Sequence, residues 1–261
     1  ELLLGASLVG SLTFYLLLGG ADFGAGIWSL FAFGRRGKRQ RALIDQAIGP
    51  IWEANHVWLI VAVTILFTAF PEAYAAIVIG LHIPLSIMLI GIVLRGTAFA
   101  LRTHDVASKQ GGGGSAGVWR YLFAGSSLVT PLLLGVSLGA IASGRLRDHA
   151  DGSFYQTFVA PWFAVFPFSV GLLTVSLVAY LAAAYLLVES QDVDLKALFR
   201  RRAVTAWALV STLALLALYL SRRGAPEIYG GLTGTAAGLA TLAVTGAAQA
   251  AALFALLVGH E

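Results

Sequence analysis

Between short clusters of charge, this chain runs apolar for 20 residues and more, again and again, and no other feature constrains its fold as strongly. At 1.5 Å of rise per residue, a helical run of that length crosses the roughly 30 Å hydrocarbon layer of a bilayer. The pattern predicts seven spans, at 2–33, 49–70, 73–101, 118–143, 161–188, 202–221 and 229–258. Only 11% of the 261 residues are charged and the mean hydropathy is +0.83, whereas a water-soluble domain is roughly 25% charged. The expected fold class is therefore an all-α integral membrane protein. A first bundle is expected over 1–143 and a second, of three spans, over 161–258. The stretches FYLLLGG (14–20) and AYLLVES (184–190) both end long spans and are each followed by a basic loop, which suggests two related bundles.

Charge then orients the spans. Twelve of the 17 Lys and Arg residues fall in the loops after spans one, three and five or beside them. Four lie on the opposite side (Arg145, Arg147, Arg222 and Arg223), and Arg95 lies within a span. The positive-inside rule puts the basic loops in the cytoplasm and the N-terminus outside. The net charge of +4 is thus explained by topology, and no nucleic-acid partner is expected. The chain has no cysteine, which excludes disulfides, iron–sulfur clusters and thiolate haem ligands. KQGGGGSAG (109–117) reads as a flexible cytoplasmic connection, not a phosphate loop, because no Lys-Ser/Thr pair follows it.

The ionisable residues inside the spans are the functional candidates, since each is costly in lipid and should face the bundle interior. Counting from the basic loops places Asp22 about 20 Å deep, Glu53 about 12 Å, His56 about 16 Å and Arg95 about 10 Å. Glu53 and His56 share a helix face at i, i+3. Two readings follow: a Glu53–Arg95 ion pair that fixes helix register, or a polar lane from the cytoplasm through Glu53 and His56 to Asp22 that moves protons. Gly20 and Gly24 have the GxxxG spacing that lets a neighbouring backbone come close, and would hold Asp22 at that contact. His56 and His82 read as hydrogen-bonded structure before haem ligands, and no metal site is expected. Trp58 lies deep in span two, near Asn55. A secondary transporter with a midplane polar site is a rival reading, because span one is interrupted by glycine; span five carries Pro161 and Pro167 only at its outer end, which counts against it.

GPIWEANHVWLI (49–60), ADFGAG (21–26) before it and FPEAY (70–74) after it together resemble subunit II of the cytochrome bd-type quinol oxidases. Arg95 in VLRGTAF (93–99) and, more locally, VTPLLLGVSLG (129–139) extend the likeness. The resemblance implies eight spans in two pseudo-symmetric four-helix bundles, so the last helix is expected to be missing or abbreviated here. It implies a partner, the haem-bearing subunit I, holding haem b and haem d or haem b alone, and small single-span subunits beside it. It implies quinol as the substrate of the complex, dioxygen reduced to water, and a place in a bacterial plasma membrane. By family position Glu53 would feed protons toward the haems, and Asp22 and Arg95 would support the haem site. Trp52, Asn55 and Trp58 would lie at the interface near the oxygen-reducing site.

Overall fold

A computed structural model describes residues 2–107, 115–146 and 152–259; within those ranges the side chains of residues 35, 48–54, 99, 102–107 and 115–117 lie outside the description. The described residues form ten helices and no strand: α1 (Leu2–Leu30), α2 (Gly34–Ala69), α3 (Pro71–Gly80), α4 (His82–Ala107), α5 (Ser115–Ala142), α6 (Phe154–Phe158), α7 (Val165–Glu189), α8 (Val193–Gly224), α9 (Pro226–Gly234) and α10 (Ala236–Val258). Five of them are long and apolar enough to cross a membrane, or six if a bent pair counts as one span, and His82–Ala98 is a shorter apolar helix. The protein is an all-α, multi-pass membrane protein.

Each expected span coincides with one helix or with a pair of helices, and a proline marks the turn between the second and third. Pro71 cannot donate to the carbonyl of Phe67, and the preceding Phe70 leaves the helical region at φ −133°, ψ 58°. The axis turns by 115° there, from Asn55–Ala69 to Pro71–Gly80. The span expected at 73–101 breaks again at Leu81, where Pro84 cannot serve the carbonyl of Gly80. The span expected at 229–258 becomes α9 and α10, with Thr235 capping α10 by accepting from the Gly238 N–H at 3.0 Å.

The segment after α1, expected as a basic loop, is helical instead. Only Phe31–Phe33 connect α1 to α2, and Gly34 supplies the positive φ of 66° that the tight reversal needs. The first turns of α2 are amphipathic: Arg36, Lys38 and Arg39 are exposed, while Ile44 and Ala47 are buried with Leu186, Leu195 and Phe199. Arg39 reaches Asp192, the N-cap of α8, at 2.5 Å. The connection 109–114 and the outer residues 147–151 lie outside the described residues.

Helix α1 is the centre of the assembly. It packs on α2, α5 and α7; α4 packs on α5, α5 on α7, and α7 on α8. The segments 1–143 and 161–258 thus meet mainly where α7 packs against α1 and α5, with the start of α2 adding contacts to α7 and α8. Helix α10 stands at the edge, with few of its residues buried.

Candidate functional site

Residues 19–26 of α1 are all buried, and the four glycines among them face three neighbouring helices. A Cβ on Gly19 would come 2.8 Å from Asn55 Oδ1 and 2.9 Å from its Nδ2, on α2. A Cβ on Gly20 would meet Leu181 Cδ1 at 2.5 Å, and one on Gly24 would overlap the Val178 carbonyl; both contacts are to α7. On the α5 side, a Cβ on Gly26 would overlap Ser127. Glycine is poor in helices by about 1 kcal/mol per residue, and here that cost is offset by three helices packing closely on about two turns of α1, α7 at its backbone and α2 and α5 through side chains. Trp28, one turn on, donates its Nε1–H to the Ala179 carbonyl at 2.8 Å and ties α1 to α7 again.

Within this packing lies a complete ion pair. Arg95, from α4, donates from Nη1 to Asp22 Oδ2 at 2.5 Å, and from Nη2 to Asp22 Oδ1 at 2.5 Å and to the Asp22 carbonyl at 2.8 Å. Its Nε–H goes to Ser127 Oγ at 2.8 Å, and Ser127 in turn donates to the Phe123 carbonyl at 2.6 Å. Four of the five guanidinium N–H groups are thereby satisfied. The guanidinium also lies over the rings of Phe23 and Phe123, with centroids 4.6 and 4.8 Å from its central carbon. Asp22 is 0% and Arg95 2% exposed, so neither charge meets lipid. A pair so placed is neutral as a unit, and losing one partner would leave an uncompensated charge in a low-dielectric interior.

The sequence named both residues but not their pairing. Depth was counted from basic residues, whereas the helices end elsewhere. Asp22 precedes the end of α1 at Leu30 by eight residues, about 12 Å, and Arg95 precedes the end of α4 at Ala107 by twelve, about 18 Å. The two levels lie about 6 Å apart, closer than the roughly 10 Å that counting from the basic loops gives. The Glu53–Arg95 pair rests on the Glu53 side chain, which, like that of Trp52, lies outside the described residues. His56 is half-buried on α2 and has an interaction partner. Asn55 is completely buried, and neither its Oδ1 nor its Nδ2 finds a hydrogen-bond partner among the described residues. Trp58 stacks on Phe14 at 4.6 Å and 21°. His82 sits at the start of α4, with Nδ1 2.9 Å from the Ile79 carbonyl and its ring against Phe158. The GxxxG neighbour is α7 of the same chain, so Gly20 and Gly24 pack within the molecule and do not hold Asp22 at their contact. Ser127, Phe23 and Phe123 escaped the sequence reading; only an i, i+4 relation between Phe123 and Ser127 on α5 hints at them.

A polytopic helical bundle built around a buried Asp–Arg pair defines a membrane subunit with a polar site enclosed by its helices. The chain belongs to the family described as cytochrome bd terminal oxidase subunit II, which matches residues 1–260. It is 35% identical over 146 residues to cytochrome bd ubiquinol oxidase subunit 2 of Bacillus subtilis, covering 54% of this chain and 41% of that protein. It is 30% identical over 162 residues to cytochrome bd-I ubiquinol oxidase subunit 2 of Escherichia coli, covering 59% and 40%. The matches thus span about two-fifths of the length of these relatives. Among solved structures, the bd oxidase from Geobacillus thermodenitrificans superimposes with a TM-score of 0.75 at 24% identity, over 99% of this chain and 76% of that one; this likeness supports the fold.

Proposed function

We propose that the chain acts as the non-haem subunit II of a membrane quinol oxidase that reduces dioxygen to water, and that it is inactive alone. The observation that carries this reading is the Asp22–Arg95 pair at the centre of a chain whose family is that of bd oxidase subunits. Haem b with haem d, or haem b alone, belongs in this reading to a partner subunit I, and supplies oxygen reduction when bound there. His82, engaged at a helix end, fits structural support and not ligation. Small single-span subunits and quinol complete the complex. The membrane orientation keeps the basic segments cytoplasmic and the N-terminus outside.

In this reading the chain supplies a scaffold and a proton path. Glu53 takes a proton from the cytoplasmic side, and His56, three residues on along α2, passes it inward beside the Asn55 amide. Asp22 ends the path as its anchor: both carboxylate oxygens already accept from Arg95, so carrying a proton would mean opening a bidentate pair. Trp52 and Trp58 belong in this reading to the interface near the partner's oxygen-reducing site, which Asn55, enclosed within this chain, supports from behind. A reduced-minus-oxidised spectrum of the gently purified chain tests the main reading. A haem-bearing partner and quinol-dependent oxygen uptake are expected; their absence would sink it. The proton path is tested by Glu53→Asp against Glu53→Ala: near-normal turnover for the first and at least a tenfold loss for the second, with haem content retained. Equal turnover would make Glu53 structural.

A further inference from the structure

Where α5 ends, α7 begins and α8 ends, two arginines rim one hollow. Arg145 and Arg223 border a cavity of about 460 Å³ that Ser143, Pro161, Phe166 and Pro167 also line. Gly224 lets α8 abut α7 there, since a Cβ would overlap Phe166. Both arginines are exposed, and neither has a carboxylate partner among the described residues. Their neighbour Arg222 differs: it is occupied by Tyr229, whose hydroxyl accepts from Nε at 3.0 Å, and by the rings of Tyr219 and Tyr229.

The hollow does not end at the helix ends. Ala164, Val165 and Leu220 line both it and a second cavity of about 480 Å³ that descends between α7 and α8. That groove is apolar throughout apart from Ser169, whose hydroxyl is spent on the Phe166 carbonyl at 2.7 Å, and its walls are Phe163, Phe168, Leu172 and Leu216. From Val165 to Leu172 it follows α7 for seven residues, about 10 Å into the membrane. Two cations without a carboxylate partner among the described residues, above an apolar groove, match one occupant: an anion joined to a hydrocarbon chain.

We propose that this is a binding site for one anionic phospholipid. Its phosphate is held by the Arg145 and Arg223 guanidinium groups, whose planar forks suit phosphate oxygens, and one acyl chain lies in the α7–α8 groove. A free phosphate would use only the upper half of the site and a zwitterionic lipid would bring its own cation to the arginines. The site is on the side opposite the basic segments, where the helices otherwise place little positive charge to attract anionic lipid.

Native mass spectrometry of the chain purified in mild detergent tests this, with dioleoyl phosphatidylglycerol, dioleoyl phosphatidylcholine and inorganic phosphate as probes. Phosphatidylglycerol is expected to bind at least tenfold more tightly than phosphatidylcholine, and inorganic phosphate not to compete with it. Arg145→Gln/Arg223→Gln should abolish the preference and each single substitution should weaken it, while Arg222→Gln, which removes one charge beside Arg223, should leave it. Leu216→Trp, which fills the groove, should weaken phosphatidylglycerol at least fivefold with both arginines in place. Equal binding of the two lipids, a preference that survives the double substitution, or displacement by inorganic phosphate would overturn the proposal.

Discussion

If Asp22 and Arg95 form one neutral unit, removing both should cost far less than the sum of the two single losses. Asp22→Ala leaves a guanidinium 2% exposed, with only Ser127 Oγ and the residue-22 carbonyl as acceptors. Two charge-assisted bonds vanish, at about 1.5–3 kcal/mol each, and breaking a buried pair typically costs about 3–5 kcal/mol. Arg95→Leu should cost a similar amount, because the carboxylate is 0% exposed and loses both donors. The double substitution Asp22→Ala/Arg95→Leu leaves no charge, and the apolar replacement lies beside the rings of Phe23 and Phe123, which already contact the residue-95 side chain. Its cost should fall at least 3 kcal/mol short of the sum of the single costs, more than a hundredfold in the unfolding constant. Equilibrium unfolding in mixed micelles, run as a double-mutant cycle, measures this. Single costs that add to within about 0.5 kcal/mol would refute the coupled pair.

Two further substitutions separate packing from surface charge. Gly24→Leu should destabilise the chain itself by about 3 kcal/mol or more, beyond the usual range for overpacking, because its side chain must displace the α7 backbone at Val178; the same unfolding assay reads it, and an unchanged midpoint would place α7 elsewhere. Arg39→Ala should cost less than about 1 kcal/mol, since Arg39 and Asp192 are 50% and 32% exposed; a cost that persists undiminished in high salt would contradict a solvated pair.

The helical class was legible because length and apolarity alone decide it in hydrocarbon. The breaks were legible in principle as well: Pro71 and Pro84 each deny a donor to a carbonyl four residues back, and treating 73–101 as one span ignored the second. Burial in α2 was harder to see. Arg36, Lys38, Arg39 and Arg41 dominate the segment by charge, yet Ile44 and Ala47 repeat at helical spacing and find Phe199 and Leu195 of α8, a contact between residues some 150 positions apart. Arg95 was recognisable as a buried cation, but its partner depended on where α1 and α4 end, and loop charges locate helix ends only to within a turn or two.

The arrangement around α1 has a simple angular logic. At about 100° per residue, taking Gly19 as zero, Gly20 and Gly24 point at about 100° and 140°, Gly26 at about 340° and Asp22 at about 300°. The first two directions meet α7; the others meet Asn55 of α2, Ser127 of α5 and Arg95 of α4. Asp22 is therefore about 160–200° from the GxxxG face, on the opposite side of the helix. The glycines facing α7 position Asp22 only by fixing α1 as a rigid body, whereas Gly26 acts on the ion pair directly, by admitting Ser127 to the contact where it receives the Arg95 Nε–H. A helix with glycine on one face alone could pack tightly or carry a charge. With glycine on two opposed faces, it can be enclosed by four helices and still hold a carboxylate away from lipid.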